Sequence, residues 1–380
     1  MKKLSDCFKN YFNVGAALSG SFLLSEPERK KAFDNMLKRF EEWKKNFKPE
    51  PGKPEFKFPD PPEYPEGPFP DLNLAKEHFN VIVADNDTKM ENIYPAEDTF
   101  NFDMADRFVK FTKENNMKLR WHTLVWHNQS PKWIFQDKDG NKASKEILEE
   151  RLKKYIYTVG KRYAGDVYSV DVVNECISDK IYKLRDINDQ SKWFDILGPD
   201  YVDKAFFWAK EAFPNSNLVI NDYNLETNPK KRKGMYKLVK GMLKRKVPVD
   251  TVGLQMHINL ENPPVKQIKK TIELFAKLGL KVIVTEMDVS VYKDFQPGNV
   301  HEAKKEYTKE LLETQAERYR ELFECFKEEA EKGYLKDVVL WGITDRFSWK
   351  NNFPVPGRTD IPLLFDTEGN PKPAFFAITE

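Results

Sequence analysis

The sequence predicts a parallel (β/α)8 barrel, the TIM-barrel fold, with a helical and proline-rich insertion in its first βα connection. Three observations carry that expectation. Eight short apolar, β-branched runs recur along the 380 residues. They are nearly continuous in hydrophobicity rather than alternating, as strands covered on both faces are. Charged stretches with apolar residues at helical spacing follow most of them. The runner-up is an open doubly wound sheet, but no GxGxxG or GxxxxGKS/T turn follows any strand to support it.

The elements follow in order. NVGAALS, 13–19, is the first strand. Residues 26–47 then place Phe33, Met36, Leu37, Phe40, Trp43 and Phe47 on one side of a helix. Residues 49–70, PEPGKPEFKFPDPPEYPEGPFP, hold nine of the 24 prolines. Proline fixes φ and removes a donor, so this stretch is expected to be extended and PPII-like. It separates the first strand from the second, so it cannot join two complete domains. Residues 1–380 therefore read as one barrel domain with 26–70 as an excursion from it. The Phe and Tyr side chains of the excursion are expected to pin it to the barrel wall; a partner-docking segment is the other reading.

The remaining strands are NVIVA (80–84), KLRWHTLV (118–125), DVYSVDVV (166–173), NLVIND (217–222), TVGLQMH (251–257), LKVIVTE (280–286) and DVVLWGIT (337–344). Among the helices, 145–163 aligns Ile147, Leu148, Leu152, Tyr155, Ile156 and Val159 along one stripe. Residues 314–332 bring Tyr319, Leu322, Phe323 and Phe326 together.

Bulk composition narrows the function. Apolar residues make up 40% of the chain, enough for a large core, and charged residues 32%, yet the formal charge is only +2. No basic field of the kind that nucleic-acid binders carry is present. No run of 18 apolar residues occurs, so no membrane span is expected. The start, MKKLSDCFKNYF, has no apolar h-region. It reads as a cytoplasmic protein or as a mature secreted form without its leader. Cys7, Cys176 and Cys325 are far apart and odd in number, which indicates neither a disulfide framework nor a zinc site. Cys176 directly follows Glu175 and is a rival nucleophile, with no base obviously paired with it.

Active sites of such barrels sit at the C-terminal ends of the strands. Those ends are polar here. The second strand runs into Asp85, Asn86 and Lys89. The third carries His122 and ends at Trp126 and His127. The fourth ends at Asn174 and Glu175, the fifth at Asn221 and Asp222, the sixth at Gln255 and His257. The seventh ends at Glu286, followed by Asp288, and the eighth gives Trp341 and Asp345, with Trp349 close behind. Any one of these reads equally as a helix cap, a turn former or core. Together they would be costly unless they converge on a polar ligand.

Amides, carboxylates and flat aromatic faces suit a sugar. Two strand-end glutamates, Glu175 and Glu286, suit glycoside hydrolysis. That reaction needs one protonated carboxyl to assist the leaving oxygen and one carboxylate to attack or to activate water. The rival chemistry is a divalent-metal site built from His122, His127, His257 and the glutamates. No HxH or HExxH spacing supports it, and a separation of five places His122 and His127 on opposite faces of a strand. No metal and no cofactor are expected.

RWHTLVWHNQSPKWIF, DVVNE, NDYN, GLQMH, VIVTEMDVS and WGITDRFSW resemble, in order and spacing, the motifs of glycoside hydrolase family 10, the endo-β-1,4-xylanases. The resemblance runs from YFNVGAAL to PLLFDTEGNPKPAF, broken by 26–70. It implies a retaining double displacement on xylan or xylo-oligosaccharides by a monomer. Glu175 would be the acid/base and Glu286 the nucleophile. Asn174 would bond the 2-hydroxyl, and His257, oriented by Asp288, would bond the nucleophile. His122, Trp126, Gln255, Trp341 and Trp349 would line the subsite where the sugar distorts, with Asp85, Asn86 and Lys89 at the next sugar. Three positions depart from the family pattern: Asp85 in place of Glu, Trp121 in place of a small residue, and Cys176 in place of Ala. Trp121 is expected to face away from the site. A non-catalytic lectin on the same fold, or an enzyme acting on cellulose or mixed-linkage glucan, are the competing functions.

Overall fold

The computed structural model describes residues 2–47, 64, 69–293 and 302–380. Eight strands close into a parallel barrel: β1 (Asn13–Leu18), β2 (Val81–Ala84), β3 (Lys118–Trp126), β4 (Val167–Asn174), β5 (Asn217–Asp222), β6 (Thr251–Leu254), β8 (Lys281–Ser290) and β9 (Leu335–Leu340). A short β7 (His257–Asn259) pairs with β8 above β6. The order runs β6-β5-β4-β3-β2-β1-β9-β8, and β6 pairs with β8 to close the ring. The strands are buried almost throughout, which is why their sequences are continuously apolar.

Helices pack outside the ring, and their ends are fixed by local chemistry. Ser144 caps Lys145–Tyr163 by accepting from the Ile147 N–H at 3.3 Å. Asn228 accepts from Lys230 and Lys231, with Pro229 in the first turn of Pro229–Lys244. The expected helix 145–163 matches its observed bounds. The one expected at 314–332 starts earlier, at Lys309, because Thr308 provides the cap.

Three strands differ clearly from expectation. The eighth, expected over 337–344, runs Leu335–Leu340 and leaves Trp341 just past its end. The run 251–257 is not one strand: it ends at Leu254, and Met256 takes a left-handed φ of 62°. The chain then re-pairs as β7, which sets His257 directly opposite Asp288. The seventh barrel strand runs on past Glu286 to Ser290 in order to meet it.

The helix Glu26–Asn46 lies between β1 and β2 in the chain. Its start is a capping box in which Ser25 and Glu28 satisfy each other. The apolar stripe read from its sequence does not enter the core: no residue of this helix is buried, and Met36 and Trp43 are each 42% exposed. Arg107 ties its first turn to the barrel through Glu28 at 2.7 Å. Of the proline-rich stretch, Tyr64 meets Phe33 edge-on at 5.2 Å and Phe69 packs on Phe22 and Phe347. The other aromatic residues expected to anchor that stretch lie outside the described residues. No helix among the described residues is long and apolar enough to cross a membrane.

Inside the ring, charge replaces part of the usual aliphatic filling. Arg120 and Asp171, both fully buried, pair at 2.6 Å. The other oxygen of Asp171 lies 2.8 Å from His122 Nδ1. Trp121, the next residue along β3, turns outward as expected and packs on Tyr163 with ring centres 5.2 Å apart.

Candidate active site

A cleft of about 690 Å³ opens at the C-terminal ends of the strands. Asp85, Asn86, Lys89, His122, Trp126, Asn174, Glu175, Gln255, His257, Glu286, Trp341 and Trp349 all line it. Asp288 stands behind His257, fully buried.

The two glutamates are held differently. Both oxygens of Glu175 take side-chain donors: Trp126 Nε1 gives to Oε2 at 2.8 Å and Gln255 Nε2 to Oε1 at 3.1 Å. Glu286 Oε1 accepts from Asn221 Nδ2 at 2.7 Å, and its Oε2 lies 3.3 Å from His257 Nε2. Burial alone would push the Glu286 carboxyl up. The His257 bond, the charges of His122 and His257, and the Asn221 bond outweigh it and hold the group below the usual carboxylate range.

His257 is the hinge of this arrangement. Its Nδ1 lies 2.8 Å from Asp288 Oδ2, and that oxygen also accepts from Trp349 Nε1 at 2.8 Å. Lys350 Nζ stands 3.3 Å from Asp288 Oδ1. Burial opposes charge on the imidazole, yet Asp288 and Glu286 overcome it and raise its pKa to about 9. At neutral pH the ring is an imidazolium between two carboxylates, and both its nitrogens donate.

The far side of the cleft is smaller in charge and equally connected. Lys89 Nζ donates to Asn86 Oδ1 at 2.8 Å and sits 5.0 Å from the Trp126 ring centre. Asn86 Nδ2 donates to Asp85 at 2.9 Å. Burial lowers the Lys89 ammonium and raises the Asp85 carboxyl, and each opposes the other's shift. Trp341 and Trp349 form the wall, with His122 edge-on to Trp341 at 5.3 Å and His257 against Trp349 at 4.9 Å.

Several expectations need correction. Asp345 does not reach the cleft: it is buried against Lys372 at 2.8 Å and accepts the Leu363 N–H. Asp222, beside Asn221, turns away to Lys231. His127 lines the cleft along with His122 rather than facing away, because β3 ends at Trp126 and strand alternation stops there. Its imidazole is kept neutral, with a pKa lowered to about 3 by burial and by Arg185. Cys176 is buried and its thiol is pushed up by that burial, so it offers no thiolate nucleophile.

Asn221 is the residue that strand-end reading left without a role. Its amide nitrogen serves Asn174 Oδ1 at 2.9 Å as well as Glu286, while its oxygen accepts from Thr285 at 2.7 Å. Gly253 makes room for it: a Cβ there would lie 2.4 Å from Asn221 Oδ1. With its carbonyl engaged, Asn174 keeps its amide N–H groups for whatever occupies the cleft. Tyr223, Asn224, Gln190, Phe353 and Asn128 complete the lining. The first two lie in the NDYN motif, where sequence carried a signal; Gln190 and Phe353 come from loops that gave none.

The arrangement supplies one carboxylate kept ionised, one carboxyl held by neutral donors, and aromatic walls for a flat polar ligand. Comparisons with known proteins agree with it. The family model described as Glycosyl hydrolase family 10 matches residues 63–380. Endo-1,4-beta-xylanase A of Caldicellulosiruptor saccharolyticus is 44% identical over 307 residues, covering 80% of this chain and 87% of that protein. Beta-1,4-xylanase of Dictyoglomus thermophilum is 42% identical over 309 residues, 81% of this chain and 83% of that one. The solved structure titled "Structure of GH10 from Paenibacillus barcinonensis" superimposes with a TM-score of 0.84 at 36% identity, covering 100% of this chain and 97% of that one.

Proposed function

The chain belongs to glycosyl hydrolase family 10 and is a retaining endo-1,4-β-xylanase, and from that premise we propose that Glu286 is its nucleophile and Glu175 its acid/base. The observation that carries the assignment is the unequal environment of the two groups. Glu286 is flanked by the His257 imidazolium and the Asn221 amide, which favour its anion. The hydrogen bonds that the Glu175 side chain accepts among the described residues come from neutral donors, Trp126 and Gln255.

The chemistry follows from these contacts. Glu286 attacks the anomeric carbon while Glu175 gives its proton to the leaving oxygen, forming a glycosyl–enzyme ester. Glu175, now a carboxylate, takes a proton from water, which breaks the ester and restores both groups. Trp126 and Gln255 fix the Glu175 carboxyl across both half-reactions. Asn174 bonds the 2-hydroxyl of the sugar under attack. His122, Trp126, Gln255, Trp341 and Trp349 enclose that sugar. Asp85, Asn86 and Lys89 hold the next one on the non-reducing side. Asp85 has a shorter arm than the Glu usual in the family, so its bond to that sugar passes through water.

Residues 1–380 act in this reading as one catalytic domain carrying 26–70 as an insertion, and the enzyme works as a monomer. The test has two arms. The β-anomer should appear first when xylo-oligosaccharide hydrolysis is followed by NMR; an initial α-anomer would exclude retention. Rates on xylan should exceed those on carboxymethylcellulose; a glucan preference would refute the substrate. Product sizes from xylohexaose would show how many sugars the cleft spans.

A further inference from the structure

Behind the wall that carries Glu175 lies a buried charge cluster that the two-carboxylate chemistry does not itself use. Lys231, on the helix Pro229–Lys244, is fully buried. Its Nζ lies 3.0 Å from Asp222 Oδ1, 3.0 Å from Asp179 Oδ1, and 3.2 Å from the centre of the Tyr223 ring. Tyr223 Oη donates to Asp179 and accepts from Arg185 Nη2 at 3.2 Å. Arg185 Nη1 donates to Asp189 at 2.9 Å. Two buried cations are expensive to keep unless their pairing serves a purpose.

The cluster grips the backbone of residues 175–177. Arg185 Nε donates to the Glu175 carbonyl at 3.0 Å and Nη2 to the Ile177 carbonyl at 3.3 Å. The Arg185 backbone N–H reaches the Cys176 carbonyl at 2.8 Å. Asp222 Oδ2 accepts the Ile177 N–H at 3.0 Å. From the cleft side, the Glu175 N–H donates to the Asn221 carbonyl at 2.8 Å. Glu175 itself has a φ of 52°, in the left-handed region that residues with a side chain occupy only when their surroundings over-determine it.

We propose that Lys231 and Arg185 are positioning residues for general acid catalysis, which together with Asp222 hold the left-handed turn from which the Glu175 carboxyl reaches the leaving oxygen. The inference rests on the reading of Glu175 as acid/base. Burial already pushes the Asp222 carboxyl up to about 6, against the pull of Lys231. Without Lys231 that carboxyl is driven toward its protonated form, and a neutral acid holds the Ile177 N–H more weakly than a carboxylate does. The turn then relaxes, and a displacement of about 1 Å in a catalytic group can cost on the order of 10²-fold in rate.

The test compares kcat/KM of the full chain and of Lys231→Met on aryl β-xylobiosides, from dinitrophenyl to unsubstituted phenyl. An activated phenolate leaves without a proton, so a misplaced acid is felt only with the poor leaving group. The expected loss is roughly 10- to 100-fold on the phenyl substrate and under about 3-fold on the dinitrophenyl one, within the ~10²–10⁴-fold scale of general acid catalysis. A cluster that only staples the helix to the barrel would scale both substrates alike. Equal losses, or none, overturn the proposal. The ratio of the two losses does not depend on the folded fraction. If Lys231→Met yields no folded enzyme, Arg185→Lys, which keeps the charge and loses the fork, gives the same comparison. Glu175→Ala is the control. If it shows no leaving-group dependence, the acid/base reading falls. If it does and both cluster variants do not, only the positioning role falls.

Discussion

His257 and Asp288 are register partners on β7 and β8, and Nδ1 of the one lies 2.8 Å from Oδ2 of the other. The pairing forms where β6 has stopped at Leu254 and the chain re-enters the sheet at His257, after two intervening residues. It fixes the ring so that Nε2 faces Glu286.

That pairing predicts a pH window for stability. The pKa of His257 is raised from 6.5 to about 9 on folding, so its contribution is complete below about 6.5 and is lost as pH rises through about 9. Glu286 and Asp288 are shifted down, so their contributions hold above the ordinary carboxylate range and fade only in acid. Tm measured from pH 6 to 10 should therefore fall for the native enzyme more steeply than for His257→Asn. Parallel curves would show that the imidazolium is not there.

Glu286→Gln should abolish xylan hydrolysis by about 10⁴-fold or more, the scale on which loss of a covalent nucleophile acts in hydrolases. Near-UV circular dichroism should stay native, since Gln keeps the volume and can still meet His257. Retention of near-normal rates would remove Glu286 from the mechanism.

Asn221→Ala should cost both stability and turnover. It leaves Glu286 Oε1 short of a buried donor, at about 1–3 kcal/mol for an unmet group, and Asn174 Oδ1 with the longer bond from Gln255 Nε2 at 3.4 Å. The drop in kcat should exceed the change in KM, because both groups act on the reacting sugar. A lowered Tm with unchanged kcat would make Asn221 a packing residue only.

Lys89→Met should act at a distance from the reacting bond. Loss of a charged hydrogen bond of about 1.5–3 kcal/mol predicts roughly a 10- to 100-fold fall in kcat/KM on aryl xylobiosides. Aryl xylosides, which lack the next sugar, should be hardly affected. Equal losses on both would place Lys89 at the reacting sugar instead.

Much of this was legible because β-barrel physics is repetitive: buried strands are continuously apolar, and the polar residues that interrupt them sit at their ends. What sequence could not separate were neighbours with opposite fates. Asn221 and Asp222 are adjacent, yet one serves the cleft floor and the other turns back to Lys231. Asp345 looks like a site residue until Lys372, 27 positions on, takes it up. The break at Met256 hides inside an unbroken apolar run, because nothing local demands it; the pairing of His257 with Asp288 does. The stripe on Glu26–Asn46 shows the converse, a periodicity that burial does not follow.

Asp171 takes Arg120 on one oxygen and His122 on the other, and so couples the interior of the barrel to its mouth. Anyone seeking to harden this protein would be drawn to Arg120, since exchanging a buried ion pair for packed hydrocarbon can gain stability. Here that exchange would also leave His122 as the remaining side-chain partner of Asp171 among the described residues, one step from the nucleophile. In this barrel, thermostability engineering and catalytic tuning share a single carboxylate and cannot be pursued independently.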